Sequence, residues 1–173
     1  MLGIKALMWD PDLNLPVSPL QGTPWTSNRM TGTCTPEGPE GKDAYLHTAP
    51  DPDCNCGIHA LRAFFWLSEY TGNEIPYLTN DLFTCLLEAS GKIILHDYGW
   101  RSEIVTVLGV GPSPGLFPIE QPGMMATKYF GVPFYTLDEI ISELGKYPYL
   151  RFEEEQRNLL KIRRLPDPSV CPY

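Results

Sequence analysis

The chain has no hydrophobic run long enough to cross a bilayer as a helix. Its longest apolar stretches, such as 104–110, are interrupted by Thr106 and Gly109, whereas a spanning helix needs about 20 consecutive apolar residues. No membrane partner is expected. Asp10, Pro11 and Asp12 follow the opening apolar residues too early for the core of a secretory signal, so a cytoplasmic location is expected. Charge is scarce, at 20% of residues, against the usual quarter. Basic residues are scarcer still, 13 against 21 acids, for a net charge of -8. Residues 1–60 contribute -4, 61–150 contribute -5, and only 151–173 are positive, at +1. A broad nucleic-acid surface needs a basic patch or stripe. Lys161, Arg163 and Arg164 are the one small cluster, so a nucleic-acid accessory role stands only as a further alternative.

Phosphate-binding glycine fingerprints are also missing. Gly109, Gly111 and Gly115 come close, but Pro112 and Pro114 interrupt the backbone that would cradle a phosphate. Cysteine is present in an odd number, five. An odd count with no secretory signal argues against a disulfide scaffold. Cys85, between Leu82 and Leu87, reads as a buried thiol, and Cys171 is the third residue from the end.

What the chain does hold is apolar and turn-forming residues. Of its 173 residues 43% are hydrophobic and 12% aromatic, with 18 prolines and 15 glycines. This composition suits one folded domain with many turns rather than disorder. The pattern predicts an α+β domain: a small mixed or antiparallel sheet packed with three to four helices, plus a proline-rich N-terminal lobe pinned by metal. The expected divisions are a loop-rich lobe over 10–55, an α+β core over 56–150, and a C-terminal helix and tail over 151–173.

Gly3 to Trp9 reads as a strand, and prolines 11, 16, 19 and 24 then deny it a regular continuation. Ile58, Leu61, Phe64, Phe65 and Leu67 fall at helical spacing and predict a helix starting at Asn55 or Cys56. Leu82, Phe83, Leu86 and Leu87 predict another from Asn80 or Asp81 through Ala89. A hairpin is expected next, from Lys92–Asp97 through Tyr98 and Gly99 into the alternating run Trp100–Val110. Met124–Phe130 reads as a helix stopped by Gly131. Thr136 and Glu139 form a capping-box pattern for a further helix ending near Gly145. Phe152–Ile162, with acids first and bases last, predicts a final helix.

Four residues form the strongest chemical cluster: Cys34, His47, Cys54 and Cys56. Three thiolates and an imidazole suit tetrahedral zinc. Cys54-x-Cys56 is a tight pair, which constrains how both reach one ion. A metal would close the long proline-rich segment, which few apolar anchors hold. The plain alternative is that the cysteines are small buried apolar groups and His47 a surface residue. Another metal, or redox chemistry, is a third possibility.

Two other constellations compete. Cys56, His96 and Asp97 could serve a cysteine-dependent hydrolase or transferase, with the thiol at a helix start and the histidine on a later strand. Arg101 and Glu103, two apart on a strand, share a face, and Trp100 lies beside them. Together they read as a binding surface, since Trp and Arg are favoured at hot spots. A half-buried ion pair is the simpler explanation for the two charges.

The runs His47-Thr-Ala-Pro50 and Cys54-Asn-Cys-Gly-Ile-His-Ala60, with Trp25 and Cys34 upstream and Gly99-Trp-Arg-Ser-Glu103 downstream, resemble an uncharacterised family of small proteins from actinobacteria and their phages. That family carries a Cys-x-Cys-Gly-Ile-Tyr-Ala-like segment and a later Gly-Tyr-Arg-Ala-Glu-like hairpin. The resemblance covers roughly residues 1–110. Here His59 stands for the usual Tyr, Trp100 for Tyr and Ser102 for Ala, leaving the four candidate ligands in place. The resemblance implies a phage or mobile-element setting and brings no activity with it. The sequence thus points to a zinc-stabilised, non-catalytic interaction protein with a protein partner.

Overall fold

The N-terminal strand β1, Leu2–Asp10, is hydrogen-bonded along both edges. One edge pairs antiparallel with β5, Leu82–Leu95, over seven positions from Leu2↔Glu88 to Met8↔Leu82. The other edge takes β2, Leu15–Val17, and then β4, Ile58–Leu61. β4 also pairs with β6, Gly99–Gly111, and β6 pairs with β5 along most of its length. The pairings β1–β4–β6–β5–β1 therefore close into a ring. β3, Arg29–Thr31, adds to the outside of β6 at Thr106–Ile104. All of these pairings are antiparallel, in one six-stranded sheet. The computed structural model describes residues 1–19, 22–34, 47–63, 67, 81–114 and 119–146.

A ring of pairings requires the long hairpin to bend, and β5–β6 does so at two register shifts, between Leu86 and Leu87 and between Ser90 and Ile93. Such irregularities bend a strand and increase its twist. At the second, Gly91 takes φ 72° and the Lys92 amide donates to Glu103 Oε2 at 3.0 Å. Glu103 thus serves the bulge. The hairpin turn lies where the alternation placed it: His96 N donates to the Gly99 carbonyl at 2.9 Å.

Two helices follow among the described residues. Helix α1, Gln121–Phe130, begins with Pro122 near its start and ends on Gly131 in the left-handed conformation. Helix α2, Leu137–Gly145, has the capping box that Thr136 and Glu139 predict: Thr136 Oγ1 accepts from Glu139 N at 3.3 Å, and Glu139 Oε2 accepts from Thr136 N at 2.8 Å. Ile140 and Leu144 of α2 pack with Leu2, Ile4, Leu82 and Leu86. Ala126 and Phe130 of α1 join the larger core around Trp9, Trp25, Phe83, Trp100 and Val107.

Four sequence expectations are corrected. The helix expected from Asn55 or Cys56 is not formed at its start: Ile58–Leu61 is strand β4. The helix expected over 81–89 is the first half of β5. Its spacing fits a helix, yet residues 82–87 are all buried, because this strand is covered on both faces. A strand buried on both faces reads as a continuous apolar run and loses its period-two signature. Two helices rather than three to four are therefore present among the described residues, and a separate proline-rich lobe is not shown: β2 and β3, from the 10–55 stretch, pair into the sheet. The helix expected over 152–162 lies outside the described residues.

Candidate metal centre

Three chain segments meet beyond the ends of β3 and β4. Cys34 follows β3 by three residues, and Cys54 and Cys56 precede β4. His47 comes from the segment leading to Pro50. Two glycines make the meeting possible. A Cβ on Gly32 would lie 3.0 Å from the Gly57 Cα and 3.0 Å from the Ser102 carbonyl oxygen. The two backbones are in contact there with no room for side chains. Gly57 also takes φ 101°, a conformation reserved in practice for glycine, and a Cβ there would meet Pro50 Cβ at 2.9 Å. Gly32 N donates to the Glu103 carbonyl at 2.6 Å, holding the Cys34 segment on β6.

The ligand atoms of Cys34, His47, Cys54 and Cys56 all lie within 4.8 Å of one another. Cys34 Sγ and Cys54 Sγ are 3.7 Å apart, and His47 Nε2 and Cys56 Sγ are 3.1 Å apart. Zn–S bonds of about 2.3 Å in a tetrahedron separate two sulfurs by about 3.8 Å. The cluster can therefore hold a metal ion, and both members of the tight Cys54-x-Cys56 pair reach it. Burial and the adjacent Cys54 and Cys56 thiols push the Cys34 thiol up to about 11, and burial raises Cys56 as well. Thiols packed this closely resist ionising together. A divalent cation removes that resistance, because it binds the thiolate form.

Beneath the ligand loop lies Arg101, only 2% exposed. Its Nη1 donates to the carbonyls of Cys54 and Cys56, the second at 3.2 Å, and its Nη2 reaches the Asp51 carbonyl at 3.4 Å. Its Nε donates to His96 Nε2 at 2.9 Å. The planar, permanently charged guanidinium suits this fork of acceptors. Three thiolates with a divalent cation carry one net negative charge, and Arg101 sets a positive charge against the same loop.

The residues proposed for nucleophilic catalysis do not converge. His96 Nε2 is engaged by Arg101, while the histidine beside Cys56 is His47. Asp97 is exposed. The raised Cys56 thiol is opposite to the depressed value of an activated nucleophile. His96 instead stacks on His59, with ring centroids 6.3 Å apart and planes 8° from parallel, and His59 Nε2 donates to the Asn55 carbonyl at 3.1 Å. Burial pushes both histidines down to about 4, Arg101 adding to the effect on His96 and Lys5 to that on His59.

Trp100, Arg101 and Glu103 do not form the exposed binding surface expected of them. Trp100 is 1% exposed, lies over Gly3, and donates through Nε1 to the Leu2 carbonyl at 3.0 Å. Arg101 is turned into the ligand loop, and Glu103 supports the bulge. Sequence reasoning missed this supporting role of Arg101, and it missed Gly32 and Gly57. The signal was there: each glycine lies within two residues of a candidate cysteine ligand. Among the described residues no helix is long and apolar enough to cross a membrane. Comparison with family models, curated proteins and solved structures finds no match for the chain.

Proposed function

We propose that the chain is a zinc-stabilised, non-catalytic protein whose work is to present a surface to a protein partner. One observation carries the zinc assignment: three cysteine sulfurs and one imidazole nitrogen from three segments lie within 4.8 Å of one another. Thiolate-rich tetrahedral sets favour zinc, and four protein ligands leave no open position for a substrate or an attacking water. A closed site of this kind contributes folding free energy. Its placement agrees, since the ion would tie the segments before β4 and after β3 to each other. The resemblance to small actinobacterial and phage proteins supports a phage or mobile-element setting for the partner.

Elemental analysis of protein purified without added metal tests the assignment. One zinc per chain is expected, lost on substitution of Cys54 and Cys56 together. Metal-free protein with a single hyper-reactive thiol would support the cysteine-enzyme reading instead.

A further inference from the structure

The indole Nε1 of Trp9 is the one buried side-chain nitrogen or oxygen without a hydrogen-bond partner among the described residues. Trp9 is 7% exposed and closes the core at the end of β1. Buried polar groups are overwhelmingly satisfied, so an orphan indole N–H calls for a reason. Trp9 also lines a cleft of about 330 Å³, together with Asn14, Asp81, Pro122 and Met125.

The cleft's lining is part polar and part apolar, and exposed apolar side chains stand beside it. Among the described residues five large hydrophobic side chains are markedly exposed: Leu13, Met124, Met125, Tyr129 and Ile141. Three of them lie on α1, and Leu13 lies in the turn between two cleft-lining residues, Pro11 and Asn14. Met125 and Tyr129 are one helical turn apart and share a face. Tyr129 meets the Trp9 ring edge-on, with centroids 5.9 Å apart. The charges nearby are mostly negative: Asp10 and Asp12 in the turn, Asp81 in the cleft and Glu120 at the start of α1, against Lys128 on the helix. Methionine-rich, adaptable surfaces of this kind suit protein segments.

We infer that the Trp9–Met125 cleft is a docking site for a segment of a partner protein that inserts an apolar side chain flanked by lysine or arginine. This rests on the reading of the chain as a zinc-stabilised interaction protein. The inserted side chain displaces Met125, whose unbranched side chain is 37% exposed. A carbonyl of the segment then accepts the Trp9 N–H. The acidic residues at the rim select the basic flank, because complementary charge sets specificity and approach.

The test is selection of a displayed random peptide library on the zinc-loaded protein, whose metal content is measured in the same preparation. Enriched peptides should carry a hydrophobic residue beside Lys or Arg. Their binding should weaken by about tenfold or more in Met125→Glu, a loss of about 1.4 kcal/mol, and should weaken in Asp81→Lys. It should be unchanged in Ile141→Glu, whose side chain lies on α2. The Trp9 indole N–H resonance should move on titration. No enrichment, enrichment without basic residues, or indifference to Met125→Glu would overturn the inference. So would concentration-dependent self-association abolished by Met125→Glu, since the face would then belong to a second copy. Zinc-loaded protein that selects nothing sinks only the docking site. Metal-free protein that selects such peptides sinks only the zinc assignment.

Discussion

Gly32 and Gly57 touch through their backbones, and this contact brings the Cys34 segment against the segment bearing Cys54 and Cys56. A methyl group on Gly32 would meet the Gly57 Cα and the Ser102 carbonyl oxygen, each at 3.0 Å. Gly57→Ala has to adopt φ 101° and meets Pro50 Cβ at 2.9 Å. Such backbone strain costs about 1–3 kcal/mol. Gly57→Ala is therefore expected to melt at a lower temperature and to hold its metal more weakly, read by calorimetry and by competition with a chromogenic chelator. An unchanged melt would show that the contact is slack.

Metal removal should loosen the ligand segments before the sheet. A strong chelator is expected to lower the melting temperature and to open residues 47–57 to proteolysis, while β1, β5 and β6 stay protected by their pairings. Limited digestion followed by mass spectrometry reads this directly. An identical cleavage pattern with and without chelator, in protein that contains no metal, would remove the metal from the account.

Arg101→Ala is expected to behave as a core substitution. It removes the donor to the Cys54, Cys56 and Asp51 carbonyls and to His96. Buried acceptors left without donors cost about 1–3 kcal/mol each, so a loss of about 3 kcal/mol is expected. Arg101→Lys should recover little, because an ammonium cannot reproduce the planar fork. Urea titration of both variants checks this. A stability close to the parent protein would show that Arg101 lies at a replaceable surface position.

Stability should fall as pH falls from about 6.5 towards 4. His59 and His96 have folded values near 4, below the ordinary 6.5. Between those limits the unfolded chain binds protons that the folded chain does not, and stability drops with decreasing pH. Protonated His96 could no longer accept from Arg101 Nε. Proton competition for the thiolates acts in the same direction. Melts across this range, repeated on His96→Gln, separate the two. The glutamine oxygen can still accept from Arg101, so the variant should lose part of the slope and keep the part due to the metal.

The ligand set was legible because metal chemistry is local in residue type: few combinations other than three cysteines and a histidine suit a tetrahedral thiophilic ion. The β5–β6 hairpin, the end of α1 at Gly131 and the Thr136–Glu139 cap were legible for a related reason, since turns and caps are set by a few neighbouring residues. The state of 82–87 was decided by tertiary structure alone. Leu82, Phe83, Leu86 and Leu87 satisfy helical spacing, and only burial on both faces between β1 and β6 makes them a strand. The direction of Arg101 was decided in the same way. Two residues apart on a strand places Arg101 and Glu103 on a common face, but which face is covered depends on where β4 and the ligand loop land, 40 or more residues earlier in the chain. Such long-range contacts leave no periodic trace in a sequence, because they are set by which surfaces must be buried together.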